Sequence, residues 1–170
     1  MALSGAMLAV SAYGELSSAL DLGTGRAPQS LSRSMSLASG TGAGKADRIF
    51  GDRRTLAASA TEDLDLAGVL LDSFGAQITF ARIKGILIAA AAGNTNNVVI
   101  GNATTNAWST LLGATGTVTL RPGAFLAVGT GVADATGYAV TAGTGDLLKV
   151  ANSAGSTSVT YDVVIIGASA

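Results

Sequence analysis

A chain of 170 residues without a histidine or a cysteine lacks the side chains most often used as general base, thiol nucleophile or soft metal ligand, which disfavours an enzyme. Its net charge of −1 supplies no electrostatic footprint for nucleic acid or an anionic membrane. Hydrophobic residues make up 48%, much of it alanine, and 23 glycines with many Thr, Ser and Asn are what a turn-rich all-β protein requires.

The length accommodates one domain of about 100–150 residues plus an arm. The opening MALSGAMLAV has no basic segment, and the most apolar run, 85–92, falls short of the roughly 20 residues that span a bilayer, so a soluble product of the cytosol is expected. Residues 7–13 read as a strand. The following ELSSALDLGTGRAPQ reads as irregular because Gly23, Gly25 and Pro28 punctuate it, making residues 1–29 an extended arm. In 30–38 the alternation is clean, with Leu31, Arg33, Met35 and Leu37 on one side and serines on the other, as in a half-buried strand near an edge.

Residues 40–54, GTGAGKADRIFGDRR, invite a phosphate-loop reading that fails at both ends. Ala46 follows Gly44-Lys45 where Ser or Thr is needed, and Ser39 stands where the first glycine belongs. A flexible loop ordered by a partner is expected instead. The mixed charges of Asp47, Arg48, Asp52, Arg53 and Arg54 suit salt bridges across an interface or a solvated loop. Next, Leu64 and Leu66 alternate with Asp63 and Asp65 as a short strand, and 69–74 fits a helical turn or a wide hairpin. Glu62, Asp63, Asp65 and Asp72 are the acidic cluster. Alternation splays them away from a calcium loop, and sugar hydrolysis by paired carboxylates needs an aromatic cleft that eight scattered aromatics do not announce. No metal or cofactor is expected.

Residues 77–92, QITFARIKGILIAAAA, are the expected spine of the sheet. Ile78, Phe80, Ile86 and Ile88 fall on one face, Ile83, Leu87 and Ala89 on the other, with a bulge near Ala81. A strand apolar on both faces needs cover on both sides, from its own core and from a second layer or a neighbouring subunit. Arg82 and Lys84 share the face of Phe80 and Ile86 and would make it an amphipathic contact surface.

Beyond the spine, strands are expected at 98–101, 117–121, 124–128, 138–141, 146–151 and 158–166, with Pro122-Gly123 as a turn and Trp108 as an anchor under a polar loop. The last strand, with Val159, Tyr161, Val163 and Ile165 on one face, should be central. Strands about every ten residues with Gly-rich turns point to an antiparallel β-sandwich, jelly-roll-like, over 56–170, preceded by an extended N-terminal arm with short strands over 1–55. Residues 1–84 carry eight Lys/Arg and eight Asp/Glu, whereas 85–170 carry only Arg121, Lys149, Asp134, Asp146 and Asp162. A surface so poor in charge can lie against other protein copies without desolvating many ions.

The blocks LDLAGVLLDSFGAQITFARIKGILI, NNVVIG, VTLRPGAFLAV, GYAVTAGTGDLLKVAN and VTYDVVIIGAS, in this order across about 60–168, resemble virion structural proteins of tailed bacteriophages, in particular capsid decoration (cement) proteins. The resemblance implies a β-sandwich subunit without enzymatic activity. It would be made in the host cytoplasm and located in the virion, assembled as a trimer or larger ring on the major capsid protein. Arg48, Arg53, Arg54, Arg82 and Lys84 are the expected partner contacts. A tail, fibre-base or portal-adaptor component is the alternative within that setting, and a carbohydrate-binding module the alternative outside it.

Overall fold

The structure, a computed structural model, describes residues 3–170. It is all-β, with antiparallel sheets arranged as expected for a sandwich. The N-terminal stretch differs from the expected loose arm. Strands β1 (Gly5–Leu20) and β2 (Gly23–Ser39) pair in unbroken register from Gly5 opposite Ala38 to Leu20 opposite Gly23, turning at Asp21 and Leu22. Gly23, Gly25 and Pro28, read as breakers, lie inside β2. Proline is tolerated there because β2 has no second neighbour at Pro28 whose ladder would lose a donor.

The hairpin has one predominantly aliphatic face. Ala6, Leu8, Val10, Ala12, Leu16 and Leu20 of β1 share it with Ala27, Leu31, Met35 and Leu37 of β2, interrupted by Ser18, Gln29 and Arg33, and the other serines with Met7, Tyr13, Glu15 and Arg26 share the opposite face. The alternation over 30–38 is therefore as expected. Burial is confined to the base, where Met35 and Leu37 pack with Ala46, Ile166, Ala6 and Leu8.

The body begins with β3 (Lys45–Ala46) and β4 (Arg48–Leu56), and continues through β5 (Thr61–Asp65), β6 (Arg82–Ala90), β7 (Val98–Gly101), β8 (Thr117–Leu120) and β9 (Phe125–Gly129). It ends with β10 (Tyr138–Ala139), β11 (Leu147–Asn152) and β12 (Val159–Ala168). One sheet runs β10-β6-β12-β4 with β9 also on β6, and the other runs β5-β11-β7-β8. As expected, β12 is central and puts Val159, Tyr161, Val163 and Ile165 into the core. They meet Ile86, Ile88 and Phe50 of their own sheet and Leu64, Val98, Ile100, Leu148 and Val150 of the other. Trp108 is the expected anchor, buried, with Nε1 donating to the Ala139 carbonyl at 2.8 Å and its ring edge-on to Tyr138.

The spine strand is shorter than its apolar run. Residues 77–81 lead into it irregularly, though Ile78 and Phe80 are buried, and regular pairing begins at Arg82. The irregularity in register lies at Lys84, since Gly85 pairs with Ile166 but Ile83 with Gly167. That extra residue turns Ile83 to the core side with Ile86 and Ile88, away from Leu87 and Ala89 where strict alternation placed it.

Candidate interaction site

A strand apolar on both faces has its inner side in the sandwich core, and the outer side is where this protein becomes unusual. Pairing sets the outer face of the β9-β6-β12-β4 sheet in rows. Ile49, Ile166, Gly85 and Gly129 form the first; Gly51, Val164, Leu87 and Ala127 the second; Arg53, Asp162, Ala89 and Phe125 the third. The hairpin base crosses the first row. A methyl group added to Gly85 would stand 3.0 Å from Met35 Cε, and one added to Gly129 would stand 3.2 Å from Leu8 Cδ2, so these glycines make the seat in which Leu8 and Met35 rest.

Past that seat the hairpin leaves the body. From Val10 onward none of the described residues covers its aliphatic face, and Leu16, Leu20 and Leu31 are 71%, 64% and 57% exposed. The overhang of about a dozen residue pairs is about 40 Å long. An apolar stripe of this extent on an ordered ribbon is a candidate interaction surface. Its strands also present long unpaired edges.

The five cations expected as contacts do not form one patch. Arg53 and Arg54 alternate to opposite sides of β4. Arg53 lies on the outer face, its Nε and Nη2 donating to Asp162 at 2.6 and 2.9 Å, and this pair holds the Asp162 carboxyl below its ordinary range. Arg54 is drawn inward, donating at 2.6 Å to Glu62 with its guanidinium over the Phe50 ring. Arg48 binds the neighbouring Asp47. Arg82 and Lys84 hold the loop before β10, donating at 2.6 Å to the carbonyls of Ala135 and Asp134 respectively. Lys84 has no accessible surface, so it is not the surface contact that simple alternation placed there, and burial pulls its ammonium below the usual lysine range.

The acidic cluster is dispersed as well. Glu62 accepts from Arg54 and from the Tyr161 hydroxyl, Asp65 from the Ala67 amide, and Asp72 from the amides of Phe74 and Ala76, which lower its pKa. Among the described residues no three His, Cys, Asp or Glu side chains converge as a metal site. A half-open cleft of about 260 Å³ lies between Asp47, Ile49, Asp72, Phe74 and Ile78. Its carboxylates are occupied, Asp47 by Arg48 and Ser169 and Asp72 by its own turn.

The apolar stripe was missed because Gly23, Gly25 and Pro28 read as breaks. Its signal was present: small and apolar residues at period two on either side of Asp21-Leu22, at Ala6, Leu8, Val10 and Ala12 and again at Leu31, Met35 and Leu37. No protein-family model matches the chain, and neither a curated protein nor a solved structure matches it.

Proposed function

We propose that the chain is a non-enzymatic virion structural protein, a capsid decoration (cement) subunit that binds and stabilises an assembled phage head. The observation that supports a docking role is the projecting hairpin with its uncovered aliphatic stripe, the kind of surface that assembly contacts bury. The phage setting comes from the resemblance. The jelly-roll reading is supported by strand order: counting β4, β5, β6, β7, β8, β9, β11 and β12 as first to eighth, the sheets run 1-8-3-6 and 2-7-4-5.

A cement protein works by linkage. Binding the closed shell and not its loose subunits lowers the free energy of the shell alone, by an amount that grows with the logarithm of free protein over its dissociation constant. Among the five cations Arg53 is exposed on the outer sheet face, the face on which a partner would lie. The test is to separate virions into DNA-filled heads and detached tails and to quantify the chain in each by mass spectrometry. Many copies on heads is the expected result. A few copies travelling with tails would replace cement by the adaptor reading, and absence from both would end the virion proposal.

A further inference from the structure

The hairpin stripe and the sheet face beneath its base are halves of one interface, of which a single chain fills a corner. Leu8 and Met35 cover the middle of the first row, at Gly85 and Ile166, while Ile49 at its end stays 42% exposed. In the second row Val164 still packs against the hairpin base, but beyond it the two outer rows are only partly covered: Phe125 is 59% exposed, Gly51 is exposed, and Leu87, Ala127 and Ala89 are half-buried. Two rows at two residues each make a strip about 13 Å wide, room for one two-stranded ribbon of about 10 Å laid beside the first. The strip offers the same chemistry as the existing seat, small residues with a few aliphatic walls, and its single ion pair, Arg53 with Asp162, is internally neutralised. Val10, Ala12, Leu16, Leu20, Ala27 and Leu31 of the unburied stripe continue the aliphatic chemistry of Leu8 and Met35, with Arg33, Gln29 and Ser18 as the polar positions between them.

We propose that the hairpin of a second copy of this chain docks there, with its Val10–Leu20 side and the facing Ala27 and Leu31 laid across Leu87, Ala127, Ala89 and Phe125. A chain cannot do this to itself, because its hairpin is paired throughout and is pinned to the first row at its base. Each copy therefore gives one hairpin and receives another, in a reciprocal pair or a closed ring. Continuity identifies the occupant: the stripe and the face are extensions of a contact that this sequence already makes with itself. The inference rests on the reading of the hairpin as an assembly device and names its partner.

The absence of cysteine gives a clean test. Leu16→Cys on the stripe and Ala127→Cys on the face, prepared as separate proteins and mixed under oxidising conditions, are expected to form a disulfide-linked heterodimer. Ser17→Cys, on the opposite face of the hairpin, is expected to give none with Ala127→Cys. By sedimentation the native chain should be oligomeric at micromolar concentration. The triple variant Leu16→Glu, Leu20→Glu, Leu31→Glu should be monomeric and should melt where the native chain melts once diluted to the monomer, since all three side chains are exposed in the single chain. A native chain that stays monomeric at millimolar concentration, an oligomer indifferent to the three glutamates, or equal crosslinking from position 17 overturns the proposal. Absence of the chain from virions with the crosslink intact would remove the capsid reading and leave hairpin exchange standing.

Discussion

Tyr161→Phe removes a polar bond that joins the centre of one sheet to the edge of the other. Tyr161 is fully buried on β12, and its hydroxyl donates at 2.7 Å to Glu62 Oε1 on β5, whose other oxygen takes Arg54 at 2.6 Å. A hydrogen bond to a charged acceptor contributes about 1.5–3 kcal/mol, and the lower end applies here because Glu62 keeps Arg54 and is partly solvated. A loss of about 1.5 kcal/mol in a chain of this size lowers Tm by about 3–6 °C. The pH dependence is sharper. Burial, then the bond to Glu62 and its charge, raise the hydroxyl far above the ordinary tyrosine value. A group with a raised folded-state pKa contributes fully below its unfolded pKa, near 10, and loses that contribution as pH rises beyond it. At about pH 11 the unfolded tyrosine is ionised roughly ten to one, a gain to the unfolded state of about 1.4 kcal/mol, so native and variant stabilities should nearly coincide. Lys84, whose lowered pKa acts in the opposite sense over the same range, is common to both proteins and cancels. Urea titrations followed by far-ultraviolet circular dichroism at about pH 8 and about pH 11 measure the difference directly. Equal stabilities at the lower pH, or a gap that does not narrow at the higher, would refute the assignment.

Gly167→Ala places a methyl group on the Arg82 carbonyl oxygen and 2.6 Å from Phe80 Cδ1, opposite the irregularity in β6. Backbone and a core ring must both shift, and the expected loss of about 2–3 kcal/mol is read as a lower urea midpoint with an unchanged m value. Asn152→Ala empties a buried amide that donates to the carbonyls of Ala57 at 2.9 Å and Thr157 at 2.7 Å and accepts from Asn96 at 3.0 Å. Leaving those groups unpaired should cost about 3 kcal/mol and lower Tm by about 6–12 °C in a thermal melt.

Where side chains alternate and both neighbours are near in sequence, the chain was readable. The closing strand shows this: Val159, Tyr161, Val163 and Ile165 can only face one way, and a strand so apolar can only be central. The spine shows the limit. Its outline is in the sequence, but the residue at which the register slips is decided by where Gly167 lets β12 pass close to Arg82 and Phe80, a contact across eighty positions that no local pattern encodes. Lys84 went astray for the same reason. Its burial depends on the Asp134 carbonyl, in a loop fifty residues away. The hairpin was misread from the opposite cause, local signals taken at face value: glycine and proline break a strand that needs two neighbours, and β2 has one along most of its length.

The expectation that the spine needs cover on both sides leads furthest. One side is met by the sandwich core, and the chain meets the other for one row in three, using a device that continues well past the point where it is useful to a monomer. Fully burying a leucine or phenylalanine contributes about 1.5–3 kcal/mol. Leu16, Leu20, Leu31 and Phe125 together therefore hold several kcal/mol that a lone chain forgoes. Solubility alone would favour polar residues at these positions, and the serines on the other hairpin face show that such residues fit the same ribbon. The stripe keeps its apolar residues where the fold does not require them, and in the proposed exchange of hairpins the free energy they carry would be released on the sheet that already seats its base.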